Sequence, residues 1–275
     1  MKKITDFEQY TELFSHFQQK YPDMIYNHVM LPGEFSSAIE KNKLFYEMSE
    51  EALIFYVKEK DFYKLYFFIS EKAALTVSHK DKPQLIECIY SARRPDPCVQ
   101  KMQQKLLKTS FVPYVENKRI RSRISESPAF SPENSQLKKD LFWRFACDAD
   151  MARLYELWKG MDIYNSTIPE AEELHEFLQN QEILCACQKD QICGVVRLKM
   201  ENKKTGSIWL VAVDPHFRRQ GIATELYKLS FSVLKDRGCT RAIEWCDETN
   251  KAVLSLSEQL GFQFDGIKSN SYILK

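Results

Sequence analysis

A chain of 275 residues is long for one ordinary domain and comfortable for two. Its 44% apolar and 28% charged residues supply a buried core and exclude a disordered chain. Net charge is +1, with 22 Lys and Arg against 19 Asp and Glu up to residue 140 and 17 against 19 beyond it. Neither half carries the excess of a nucleic-acid or anionic-membrane binder, so neither partner is expected. No window of about 18 uncharged apolar residues occurs, and the opening MKKITDFEQYTELF has no apolar run after its Lys pair, so the expected location is the cytoplasm. The eight cysteines lie mostly in apolar runs and read as reduced core thiols. Cys185 and Cys187 fall on one face of a strand, where packing is favoured over metal binding. The five histidines are widely spaced, and no metal site is expected.

In chain order, a helix is predicted near 7–19, then β-rich runs at 44–47, 52–57, 62–69, 73–77 and 85–90. A helix follows at about 96–108, then strands at 111–114 and 119–124 paired as a hairpin. The aromatic residues Phe55, Tyr56, Phe62, Tyr63, Tyr66, Phe67 and Phe68 read as core. Residues 123–136, RISESPAFSPENSQ, hold two prolines and four serines and read as a linker. Beyond it come a strand at 141–146, a helix N-capped by Asp148 and reaching Lys159, and a helix near 169–180. A meander is predicted at 182–187, 192–200 and 207–213. A helix spans 221–237 with Gly238 as its C-terminal cap, then a strand 241–246, a helix 250–260 stopped by Gly261, and a closing hairpin of 262–264 with 272–274. The first lobe ends in the same order as the second, which suggests two copies of one fold, the first degenerate. Seven of the eight glycines lie after residue 140, so the first lobe lacks a phosphate loop.

The stretch from Trp209 to Ala223, WLVAVDPHFRRQGIA, is a strand, a short loop and a helix start. It builds an anion site: free N–H groups and the positive dipole end point out of the helix, Gly221 and Ala223 keep side chains small, and Arg218 and Arg219 add charge. Val213-Asp214-Pro215 followed by Arg218-x-x-Gly221-x-Ala223 resembles the acetyl-CoA signature of the GNAT N-acetyltransferase superfamily, and Asn250 with Leu260-Gly261-Phe262 resembles its closing motif. The resemblance covers about 139–275 and is specific around 208–224.

The resemblance implies an α+β fold of two GNAT-like lobes, each a mixed, mainly antiparallel sheet flanked by helices. The expected domains are 1–125, degenerate; 126–138, linker; and 139–275, the N-acetyltransferase. It further implies acetyl-CoA as cosubstrate. The backbone of Arg219, Gln220, Gly221, Ile222, Ala223 and Thr224 would hold the pyrophosphate beside Arg218. Val211, Ala212 and Val213 would pair with the pantetheine arm, and Asn250 would be either a cofactor contact or a plain helix cap. An amine acceptor, either a small molecule, an amino acid or a peptide, would attack the thioester directly. Where many members carry an acidic tyrosine this chain has Ser257, and where some keep a glutamate base it has Trp209. Glu244 on the neighbouring strand, with Asp247 and Glu248 at its end, are the remaining carboxylates, equally readable as solvated charges; Tyr227 and His216 read as structural and as an exposed loop residue. The alternatives are a non-catalytic acyl-CoA-binding or scaffold protein and a transferase for longer acyl chains. Two fused copies favour a monomer over a homodimer.

Overall fold

The computed structural model describes residues 1–27, 30, 32–78, 80–94, 96–127 and 141–275. It divides into two compact units, Met1–Asn117 with Gly266–Lys275, and Lys118–Asp265. This division differs at both ends from the expected boundaries: 118–125 belongs to the second unit and the last ten residues to the first. From residue 128 on, the expected linker 126–138 lies outside the described residues.

In the first unit, β1 (Lys2–Lys3), α1 (Phe7–Lys20), β2 (Ile25–Tyr26) and α2 (Pro32–Glu40) precede β3 (Leu44–Met48), β4 (Ala52–Lys58), β5 (Tyr63–Ile69) and β6 (Gln84–Ser91). Then come α3 (Pro97–Leu106) and the start of β7 (Val112–Arg123). Strand order is β1-β3-β4-β5-β6, antiparallel except for the parallel pair β5–β6. The aromatic runs are core on both faces. Alternation sends Ile54, Tyr56, Leu65 and Phe67 toward α3, and Leu53, Phe55, Tyr66 and Phe68 toward α1 and α2, which is why these strands read as nearly continuous apolar runs. Asp6 N-caps α1 by accepting from Gln9 N at 2.8 Å, and Asp96 caps α3 through Cys98 N at 2.8 Å.

In the second unit, β8 (Leu141–Phe145), α4 (Met151–Trp158), α5 (Ala171–Gln179), β9 (Ile183–Gln188), β10 (Gln191–Asn202) and β11 (Thr205–Val213) lead to α6 (Ile222–Asp236). Then come β12 (Arg241–Asp247), α7 (Lys251–Gln259) and β13 (Gln263–Leu274). The strands run β8-β9-β10-β11-β12, with only β11–β12 parallel. One core lies under α6 and α7, the other under α4 and α5. Cys185 and Cys187 are both buried in the latter, and burial raises both thiols above the usual range. Each unit is thus a mixed, mainly antiparallel sheet flanked by helices, as expected.

Several expectations are corrected. Both predicted hairpins are single twelve-residue strands, β7 and β13. Residues 267–274 of β13 pair antiparallel with β6, from Ile267↔Ser91 to Leu274↔Gln84, and Gly266, at φ 95°, bends the strand without reversing it. Residues 73–77 form no strand, because Ser70 accepts Ala73 N at both its carbonyl (3.2 Å) and its hydroxyl (3.1 Å) and turns the chain. Asp148 does not cap α4. A short 3-10 turn, Asp148–Asp150, precedes that helix, and the carboxylate of Asp150 accepts from Cys147 N at 2.8 Å. The short elements β1, β2 and α2 were not expected.

Candidate functional site

The loop between β11 and α6 follows from local chemistry. Asp214 Oδ1 accepts from His216 N at 2.8 Å and starts the 3-10 turn Pro215–Phe217. The chain then takes left-handed backbone at Arg219 (φ 62°) and Gly221 (φ 81°), costly for most residues and free for glycine. The first intrahelical bond of α6 runs from Glu225 N to Gly221 O at 3.1 Å, so the amides of Ile222, Ala223 and Thr224 precede it. Arg218, Arg219, Gln220 and Gly221 are all exposed around this terminus. Arg218 Nε donates to Val213 O at 3.1 Å, and Gln220 donates to His216 O at 3.3 Å. His216 is exposed, as expected.

Buried Asp214 is held from α4. Arg153 pairs with its Oδ2, donates to Ile192 O at 2.9 Å and binds Glu156 at 2.7 Å. Burial pushes the Asp214 carboxyl up, but Arg153 and the His216 amide outweigh it and hold the group below the usual range. Two glycines set the height of α6 over the sheet. A Cβ at Gly194 would sit 2.8 Å from Ile222 at the start of the helix, and one at Gly206 would sit 2.3 Å from Leu234 near its end.

β11 changes face partway. Ile208 packs under α6, but Leu210 and Ala212 pack under α4. The switch is a bulge: the register with β10 shifts between Val195↔Ala212 and Arg197↔Trp209, and Leu210 takes φ 50°. Trp158 Nε1 donates to Leu210 O at 3.0 Å and pins it. On the other edge, pairing with β12 runs only from Thr205↔Arg241 to Ser207↔Ile243. Past that point residues 208–213, including Val211, Ala212 and Val213, carry no recorded pairing with β12.

Glu244 is not a solvated charge. It alternates with Ala242 and Cys246 on the buried face of β12 and is 7% exposed. Tyr227 Oη donates to its Oε1 at 2.5 Å and Ser257 Oγ to its Oε2 at 3.1 Å. Burial drives the Glu244 carboxyl up to about 7, against the lowering effect of the Tyr227, Ser257 and Cys246 donors. Tyr227 is pushed well above its usual range by burial and by the carboxylate beside it. Helix α6, strand β12 and helix α7 thus bring Glu244, Ser257 and Tyr227 into one cluster. A glutamate set between Ala242 and Cys246 on an apolar face was the sequence signal for this burial.

Asn250 caps α7 by accepting from Val253 N at 3.2 Å. Asp247 accepts from Thr249 N and Oγ1, each at 2.7 Å, and Trp209 Nε1 donates to Ser207 Oγ at 2.8 Å. Among the described residues no group of three His, Cys, Asp or Glu is placed to hold a metal, and no helix is long and apolar enough to cross a membrane.

This mixed sheet, with its bulged strand feeding an exposed glycine turn at a helix start, defines an α+β fold of the acetyltransferase type. Residues 151–262 match the model of the Acetyltransferase (GNAT) family. N-alpha-acetyltransferase 30 of Homo sapiens is 33% identical over 95 residues, covering 32% of this chain and 26% of that protein. Its Schizosaccharomyces pombe counterpart is 33% identical over 81 residues, 28% of this chain and 54% of that protein. The chain spans between 26% and 60% of the length of the curated relatives it matches. Among solved structures, a GCN5-related N-acetyltransferase from Sphaerobacter thermophilus aligns at TM-score 0.59 and 12% identity over 87% of this chain and 84% of that one. A tandem GNAT protein from the clavulanic acid biosynthesis pathway aligns at 0.59 and 8% identity over 82% and 80%. These last two likenesses are of fold alone. The likeness to the GNAT family thus lies in the second unit, over residues 151–262.

Proposed function

We propose that the second unit is an N-acetyltransferase that moves the acetyl group of acetyl-CoA to a primary amine by direct attack in a ternary complex. The observation that carries this is the exposed turn at 218–221, whose two left-handed residues open onto the unbonded amides of Ile222, Ala223 and Thr224. The pyrophosphate is held by the amides of residues 219–224 with Arg218 beside them. The arm of the cosubstrate lies along the edge of Val211, Ala212 and Val213 that β12 leaves. Asn250 acts as a helix cap. The name of the matched relatives favours a peptide α-amine as the acceptor to test first, ahead of small-molecule amines. The first unit is the degenerate copy and serves as scaffold.

In the chemical step the amine nitrogen forms a bond to the thioester carbon, the carbon–sulfur bond breaks, the departing thiolate takes up a proton and the amine loses one to solvent. Ser257, only 1% exposed, delivers the proton to sulfur through a bridging water. Alone its hydroxyl is a poor acid, but with Glu244 protonated the contact between them reverses. The carboxyl then donates to Ser257 Oγ, which frees the serine hydrogen for that water. Tyr227 fixes the carboxyl from the other side.

Calorimetric titration of acetyl-CoA, followed by transfer assays on a peptide and amine panel, tests this reading. Saturable binding abolished by Gly221→Glu, together with turnover, is the expected result. Binding without turnover would leave an acyl-CoA-binding protein, and no binding would leave a scaffold.

A further inference from the structure

The two units repeat one order of elements with two differences. β1-β3-β4-β5-β6 corresponds to β8-β9-β10-β11-β12. In each, the last two strands are parallel over three pairs, Tyr63↔Gln84 to Leu65↔Ile86 in one and Thr205↔Arg241 to Ser207↔Ile243 in the other. The second unit runs α6 between its parallel strands, whereas the described residues of 70–83 hold no helix. The first unit has β2 between its two opening helices, where the second has no strand among the described residues.

β2 stands where the parallel pairing stops. β4 occupies one edge of β5 along its whole length, from Ala52↔Ile69 to Lys58↔Tyr63. β2 therefore takes the edge that faces β6, pairing Ile25↔Ile69 and Tyr26↔Phe68. Aligning Tyr63 with Thr205 through the shared register sets 67–69 level with 209–211, where β11 has left β12 and Val211 opens the stretch 211–213 proposed to pair with the cosubstrate arm. Asn27 then ties the two strands together. Its Nδ2 donates to Leu65 O on β5 at 3.0 Å and to Glu87 O on β6 at 2.9 Å, and its Oδ1 accepts from Phe67 N at 2.8 Å. Ile25 is 2% and Asn27 4% exposed. Ile25 packs into the core beneath α3 while Tyr26 packs against the core on the opposite face, beneath α1 and α2. β2 thus packs into the cores on both faces of the sheet, with Ile25 buried and Tyr26 half-buried.

We infer that residues 25–27 are a built-in occupant of the gap between the first unit's parallel strands, and that the chain accordingly carries one acyl-CoA site. The count of one rests on the proposed function, while the occupancy of the gap does not. A ligand arm pairing here would have to displace a buried strand and break the three hydrogen bonds of one carboxamide, each left without water to replace it.

The experiment pairs acetyl-CoA titration with residue-resolved hydrogen exchange. Wild type should bind one acetyl-CoA per chain, lost in Gly221→Glu. Asn27→Ala should speed exchange of the Phe67 amide at least tenfold and leave acetyl-CoA affinity within twofold. Asn27→Asp keeps the acceptor for Phe67 but loses both donated bonds, and should speed exchange across β5 and β6 if the alanine variant does not fold. A second saturable site surviving Gly221→Glu would overturn the inference. So would unchanged Phe67 exchange in Asn27→Ala. An absence of any acetyl-CoA binding would overturn the proposed function instead, and the exchange result would then decide the occupant by itself.

Discussion

Tyr227 Oη donates to Glu244 Oε1 at 2.5 Å inside the second unit's core, and Ser257 holds the other carboxylate oxygen. The pairing predicts how stability depends on pH. Glu244 has its folded-state pKa raised from 4.5 to about 7, chiefly by burial. The folded state therefore holds the proton more tightly than the unfolded chain. The stability this group contributes is fully present below about pH 4.5 and is lost as pH rises through about 7, a change of order a few kcal/mol. Asp150, lowered to about 2 chiefly by Arg144, works in the opposite sense, so the informative quantity is a difference. The gap in Tm between wild type and Glu244→Gln should shift by several degrees between pH 5 and pH 8, with wild type losing ground as pH rises. A constant gap would place the ionisation elsewhere.

The same cluster makes a kinetic prediction. If Ser257 passes the proton to the leaving sulfur as proposed, Ser257→Ala should lower kcat by tenfold or more with KM for acetyl-CoA near its wild-type value. Tyr227→Phe removes a donor that pulls the Glu244 pKa down, so the alkaline limb of the kcat profile should move to higher pH. A purely structural role for Tyr227 would lower Tm and leave that limb in place.

The glycine turn and α6 were legible in the sequence because their signals are local: Gly221 at a left-handed position, Arg218 beside it, apolar residues at helical spacing and Gly238 at the end. The bulge at Leu210 was not. Leucine carries no turn signal, and its carbonyl is fixed by Trp158, fifty-two residues earlier in the chain. Nor were the two long strands legible as such. Asp265-Gly266 is the composition of a tight hairpin turn, yet Gly266 only bends β13, whose far half pairs with β6 near residue 90. That partner choice depends on contacts distant in sequence. The burial of Glu244 fell between these cases, since alternation along β12 showed its face but not the tyrosine and serine awaiting it.

Gly194 and Gly206 should separate site geometry from stability. At Gly206 an added Cβ meets Leu234 at 2.3 Å at the far end of α6, so Gly206→Ala should cost about 1–3 kcal/mol through overpacking, read as a lower Tm. At Gly194 the contact is 2.8 Å to Ile222, the first residue of α6 and a neighbour of the glycine turn proposed to hold the pyrophosphate. Gly194→Ala should raise the Kd for acetyl-CoA several-fold for a smaller change in Tm. Equal effects on Tm and Kd in both variants would show that α6 moves as one rigid rod.

The glycine turn before α6 is also held from outside that helix, by the pair between Arg153 and Asp214. Asp214 is buried, and Arg153 additionally donates to Ile192 O at 2.9 Å, so the guanidinium ties α4 to the start of β10 and to the loop after β11. Removing one member of such a pair strands the other's charge, at a cost of about 3–5 kcal/mol when burial is complete. The Arg153 side chain retains 20% exposure, which scales that cost down. Asp214→Asn keeps an acceptor for His216 N but loses the charge, whereas Arg153→Met leaves the carboxylate buried beside the backbone with no cation. Arg153→Met should therefore be the more destabilising of the two by thermal unfolding at pH 7. Its deficit relative to wild type should shrink as pH falls below 4, because the stability from Asp214's lowered pKa is present at neutral pH and is lost on acidification. A deficit that does not change with pH would mean that Arg153 acts through packing and its bond to Ile192 alone.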